Sequence, residues 1–239
     1  MHLPPSQSEV FDTAKDTVET LKSLGYDSYF VGGVACSLFG TLRSPNDIDI
    51  VVVGSSLSQE ALKQQLVSAN PKFYTVASKD PYATYRVLWY RLGSSYSRRS
   101  CKVDLLQPGV MNIPHVPTRK IVRLAHPLGY GNGFAFPAMP FIPLLLLKLQ
   151  AWQDHGESTK TYMRMKQPVD VRDLADLLTQ YATKSWMRAD NGKWVESSFM
   201  QAGRRRIRKF LQVYPSDKSQ WRAILLVLNE HDAKSAIIS

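Results

Sequence analysis

Apolar residues along this chain recur in two rhythms, and the switch between them divides it. Over residues 8–24, Val10, Phe11, Ala14, Val18, Leu21 and Leu24 return every three or four positions, which predicts an amphipathic helix that Gly25 stops. Short apolar runs follow. They predict a strand at 29–31, a helix at 34–39 and a strand at 48–53, with Gly32-Gly33 between the first two. A further helix is expected at 58–68, capped by Ser56 or Ser58. Residues 73–77 and 84–92 are rich in aromatic and β-branched side chains and read as strands, as does 101–106 after a polar turn at 93–100. A connector dotted with proline and glycine runs from 107 to 140, with a short strand at 120–124. Beyond it the period is helical at 142–155, 169–182, 196–213 and 218–229. No internal repeat is visible. The pattern predicts an α/β (α+β) domain over 1–138, a small mixed sheet flanked by helices, followed by a helical domain over 139–239.

Composition narrows the class. Hydrophobic residues at 44% and charged residues at 21% are ordinary for a soluble globular chain. The apolar stretch at 141–147 is far too short to span a membrane, and the opening residues lack the charged start and apolar core of a signal peptide. Cys36 and Cys101 read as buried free thiols, so a cytoplasmic, reducing setting is expected. His115, His126 and His155 have no zinc-type spacing with those cysteines, and no zinc is predicted. Thirty basic residues against 20 acidic ones give a net charge of +10, a field that favours polyanionic partners.

The candidate chemistry lies in residues 29–53. Asp47 and Asp49 open a strand and point to one side of it, while Ile48 and Ile50 face the core. Two carboxylates a side chain apart repel one another unless a cation lies between them, so the spacing points to a divalent metal. Gly32 and Gly33 bring backbone N–H groups to the start of a helix, where a phosphate is favoured, and Arg43 is placed to contact or brace the same loop. Asp104 interrupts the apolar strand at 101–106, and a lone carboxylate there is costly unless it is paired or coordinated. Three such carboxylates suit metal-assisted phosphoryl transfer. Each feature alone has a plainer reading: a tight turn, a solvated strand end, a surface arginine, or a pair between Asp104 and Arg98 or Arg99. Their order along the chain favours the site.

Together these residues resemble the DNA polymerase β-type nucleotidyltransferase superfamily, whose pattern is strand, Gly-Gly or Gly-Ser, helix, Asp-x-Asp strand and a later acidic strand. Gly33 stands where many members carry serine. The stretch Arg43-Ser44-Pro45-Asn46-Asp47-Ile48-Asp49 is similar to that of the minimal branch, which includes the AbiEii/MenA-type toxins and related fungal proteins. Residues 147–151 and 172–177 resemble that branch's Lys-Leu-x-Ala and Arg-Asp-x-x-Asp-Leu helices. The resemblance implies a nucleotidyltransferase fold with its active site in a cleft between the domains. It implies Asp47, Asp49 and Asp104 as metal ligands and catalytic residues, with Mg²⁺ or Mn²⁺ as cofactor and an NTP, ATP among them, as substrate. Gly32, Gly33, Ser37, Arg43, Lys148 and Asp173 form the nucleotide-binding set, with Asp173 ordering the helical half or acting in catalysis.

The acceptor is argued from charge. Arg204, Arg205 and Arg208 share one face of a helix whose Ile207 and Phe210 pack inward, and Arg98, Arg99 and Lys102 form a smaller basic set beside Asp104. A third set is Lys160, Arg164 and Lys166, and Tyr82, Tyr85, Trp89 and Tyr90 are candidates to stack a base. Such faces suit a phosphate backbone, so Arg98, Arg99, Arg204, Arg205 and Arg208 are assigned to nucleic acid, with an RNA end such as that of tRNA as acceptor. The alternatives are transfer to a small molecule or a protein hydroxyl, or a catalytically silent nucleic-acid-binding module.

Overall fold

The structure, a computed structural model, describes residues 4–80, 82–93, 99–188 and 192–238, with side chains described for all but 188 and 230–238. Two compact units divide the chain. The first comprises Met1–Leu38, Arg43–Val110 and Pro117–Met139, and the second Phe39–Leu42, Met111–Val116 and Pro140–Ser239.

The first unit is α/β. Ser6 opens α1 (Gln7–Ser23) with a reciprocal cap: its hydroxyl accepts from the Glu9 N–H, and its own N–H donates to the Glu9 carboxylate at 2.7 Å. The predicted apolar stripe, Val10 to Leu21, is buried. β1 (Asp27–Val31) passes without a loop into α2 (Gly32–Phe39), so the helix begins at the glycine pair, two residues earlier than its apolar run implies. β2 (Asp47–Val53) follows. α3 (Gln59–Ala69) is capped by Ser58, whose hydroxyl accepts from the Ala61 N–H. β3 (Phe73–Ala77), β4 (Arg86–Arg91), β5 (Ser100–Leu106), β6 (Val122–Leu124) and β7 (Phe136–Ala138) complete a seven-stranded mixed sheet in the order β3-β4-β5-β2-β1-β7-β6. β2 pairs antiparallel with β1 and parallel with β5.

Two strands differ from the sequence expectation. β4 begins at Arg86 rather than at residue 84, and β7 lies inside the stretch read as connector. β7 has three residues, Pro137 among them, so it carries no readable period. It is a strand because β1 and β6 pair with it.

The sheet has two unlike faces. Ile48, Ile50 and Val52 of β2, Cys101, Val103 and Leu105 of β5, and Leu88 and Tyr90 of β4 are buried, with α1 and α3 packed against the sheet. The intervening residues Asp47, Asp49, Trp89, Lys102 and Asp104 share the opposite face and are only half-buried.

The second unit is helical: α4 (Phe141–Glu157), α5 (Thr161–Arg164), α6 (Gln167–Thr183), α7 (Ser197–Val213) and α8 (Lys218–Ile238). α5 and the last turns of α8 exceed the expectation. α4 buries Phe141, Ile142, Leu144, Leu145, Leu146, Leu149 and Trp152, an apolar surface too broad for one neighbour, and both α6 and α7 pack on it. Gly203 permits the close approach of α7, since a Cβ there would lie 2.8 Å from Leu146 Cδ1. Phe210 packs edge-on against Trp152 at 5.0 Å. Among the described residues no helix is long and apolar enough to cross a membrane.

Candidate active site

Pairing between β2 and β5 brings the predicted carboxylates together. The register sets Asp47 beside Lys102 and Asp49 beside Asp104, while Val31, at the end of β1, is opposite Asp49. Side chains at paired positions of adjacent strands, about 4.8 Å apart, project to the same face. Asp47, Asp49 and Asp104 therefore share a patch of sheet surface although Asp49 and Asp104 are 55 positions apart in the chain. Trp89 of β4 continues the row from Asp47 and Lys102.

The glycine pair adjoins this patch. Gly32 has φ +58°, a left-handed conformation that glycine adopts without penalty, and a Cβ at this position would lie 2.1 Å from Asp49 Oδ2. The Asp49 carboxylate thus packs against the first turn of α2, the positive end of the helix. A Cβ on Gly33 would meet Pro45 at 3.1 Å and the Arg43 guanidinium at 3.2 Å, so Arg43 lies over the same turn. Ser37, one helical turn further on, is 2% exposed; its hydroxyl is bonded to His126 Nε2 at 3.1 Å and accepts from the Gln7 amide.

Lys102 brings a positive charge into the patch. Its ammonium donates to Asp104 Oδ2 at 2.5 Å. Burial works to lower its pKa, but the bond to Asp104 and the charges of Asp104, Asp47 and Asp49 outweigh that and hold the group above the ordinary lysine value. On the reverse face Cys101 is fully buried, and its thiol is pushed up to about 12 by burial and by the charges of Asp47 and Glu9, so it stays protonated. Sequence reading put Lys102 in a surface basic set; the signal that it belongs among the carboxylates is its two-residue spacing from Asp104, which puts both on one face.

A divalent cation is the group such an arrangement implies. The donor chemistry fits, since three hard carboxylates stand on adjacent strands. Among the described residues, however, no three His, Cys, Asp or Glu side chains are drawn into a ready-made metal cage.

The other predicted residues have definite surroundings. Lys148 of α4 is buried, donating to Asp170 at 3.2 Å and pairing with fully buried Asp173 at 2.7 Å; Asp170 also bonds His155 Nδ1. The sequence reading did not single out Asp170 and weighed His155 only as a zinc ligand, although Asp170 lies one turn before Asp173 and His155 two turns after Lys148. Arg99 grips the Glu9 carboxylate with both terminal nitrogens at 2.6 Å and donates to the Pro4 carbonyl, tying α1 to the start of β5. Arg98 lies outside the described residues. On α7, Gln201, Arg204, Arg205 and Arg208 line an open hollow of about 330 Å³, while Ile207 and Phe210 are buried beneath as the helical period predicts. Tyr82 and Tyr85 are exposed, and Tyr90 is buried on the helix-covered face with its hydroxyl donating to Asp16.

No family model matches the sequence, and no curated protein matches it. Among solved structures it is similar to a crystal structure of an antigenic nucleotidyltransferase-like protein from Paracoccidioides brasiliensis, with a TM-score of 0.65 and 16% identity over 92% of this chain and 95% of that one. At that identity the likeness speaks for the fold: a mixed seven-stranded sheet flanked by helices, with a helical C-terminal region, is a nucleotidyltransferase-like architecture.

Proposed function

We propose that the protein is a metal-dependent nucleotidyltransferase that moves a nucleoside monophosphate from an NTP to an acceptor hydroxyl, with RNA as the acceptor class. The observation that carries this reading is the register that sets Asp49 beside Asp104 and Asp47 beside Lys102, next to the glycine turn that opens α2.

In this reading Asp47, Asp49 and Asp104 hold Mg²⁺ or Mn²⁺, which when bound neutralises charge on the reacting phosphate. The first N–H groups of α2 and the Arg43 guanidinium hold the triphosphate oxygens. Asp104, on the strand nearest Trp89 and the β4 side, accepts the proton of the acceptor hydroxyl. The acceptor oxygen then bonds the α-phosphorus as the bond to pyrophosphate breaks, and pyrophosphate leaves with the displaced electron pair. RNA is favoured over a cationic acceptor by the net charge of +10 and by the arginine-lined hollow on α7.

The test is transfer of label from α-³²P NTPs to total RNA with Mg²⁺. We expect labelled RNA from the native protein and at least a hundred-fold less from Asp47→Asn with Asp49→Asn. Label that remains free, or that survives this double substitution, would sink the reading.

A further inference from the structure

We propose that Lys102 is a resident counter-ion of the carboxylate patch, which competes with a divalent metal and so sets the metal affinity of the site. The inference rests on reading Asp47, Asp49 and Asp104 as metal ligands.

The geometry points there by three routes. Lys102 and Asp104 lie two residues apart on β5, so both project to the face that carries Asp47 and Asp49. The register puts Lys102 beside Asp47 and Asp104 beside Asp49, so the lysine occupies one corner of a square of residues whose other three corners are aspartates. Lys102 bonds one oxygen of Asp104, a carboxylate that would hold the metal, and among the described residues no three acidic groups close on a common point. The carboxylates are thus offset by a cation that the chain itself supplies.

The pair is also able to part. Lys102 and Asp104 side chains are 37% and 34% exposed, so a released ammonium passes into water at little desolvation cost. An incoming divalent ion carries twice the charge and takes several oxygens at once, whereas the ammonium holds one carboxylate. Binding the metal therefore costs the Lys102–Asp104 bond, and removing the lysine removes that cost. Lys102 also repels an incoming cation directly while it stays in place.

The experiment is calorimetric titration of the full chain with MnCl2 alone, without nucleotide and at fixed ionic strength. Native protein is compared with Lys102→Met, Lys102→Gln and the charge-retaining Lys102→Arg. We expect Mn²⁺ to bind about ten-fold tighter to the Met and Gln variants, with Arg near native, and the gain to vanish when Asp49→Asn is added. Equal or weaker binding in both neutral variants overturns the proposal. If native and variant proteins bind Mn²⁺ alike and Asp49→Asn abolishes it, the counter-ion role fails while the ligand reading stands. If none of them binds Mn²⁺, both fail. Two neutral replacements of different shape keep the result readable should one fold poorly.

Discussion

Gly32 is where backbone geometry and candidate chemistry constrain each other most closely. Its left-handed φ and its approach to Asp49 exclude any side chain, whereas Gly33 has ordinary backbone and its neighbours stand off at 3.1–3.2 Å. Gly32→Ala should lower the unfolding free energy by about 2 kcal/mol or more, from left-handed strain plus overlap with the Asp49 carboxylate. Gly33→Ala should cost less than half of that. Urea denaturation of both variants checks the order, and equal losses would refute it. The glycine pair and Asp47-x-Asp49 were legible in the sequence because both are local: a turn before a helix, and a two-residue period. The part played by Lys102 was not, because a lysine beside an acidic residue reads as a surface pair until its neighbours across the strands are known.

At the scale of elements, helix α4 is held to α6 by charge as well as by apolar packing. Lys148 lies between Asp170 and Asp173, which are 3% and 0% exposed, so its loss takes a cation from two buried carboxylates. Lys148→Met should cost about 3–5 kcal/mol in unfolding free energy, measured by thermal or urea denaturation. A cost under about 1 kcal/mol would show that the pairs carry little. In the first unit, His126 links three segments. Its ring packs on Phe11 at 4.3 Å and Tyr130 at 4.9 Å, and its Nδ1 accepts the Leu128 N–H, which leaves Nε2–H to donate to Ser37. Burial lowers the His126 pKa, so the neutral form is the folded form. A group depressed on folding adds stability above its unfolded pKa and loses it as pH falls through the folded one. Native stability should therefore decline as pH falls below the ordinary histidine value of about 6.5, and His126→Gln should flatten that slope. Denaturation midpoints across this range test it; an unchanged slope would exclude His126 as its source.

For the whole molecule the relevant quantity is the excess of positive charge and where it is presented. Arg205 and Arg208 are exposed on α7 and line the same hollow as Arg204. If RNA phosphates occupy it, Arg205→Gln with Arg208→Gln should weaken binding alike for all sequences. The same change should reduce the slope of log affinity against log salt by about 1.4–1.8. Fluorescence anisotropy at several salt concentrations measures both, and an unchanged slope removes α7 from the interface. The helical face was readable from spacing alone, since Ile207 and Phe210 recur on the side opposite the arginines. Arg99 had the same composition signal but is held by Glu9 of α1, a residue 90 positions away.

What the amino-acid sequence determined by itself was the set of local periods. They state which residues lie on one side of a strand or helix, that Gly25 ends α1, and that Asp47 and Asp49 face away from the core. Tertiary structure decided everything that depends on which segments become neighbours. It paired β5 parallel to β2 in the register that sets Asp104 beside Asp49, and made a strand of Phe136–Ala138. It also surrounded Lys102 with carboxylates and buried Lys148 between two aspartates. A period encodes a facing direction within one element. Register between strands and the choice of partners are settled only when the buried face of each strand finds its cover, and that is a property of the folded chain.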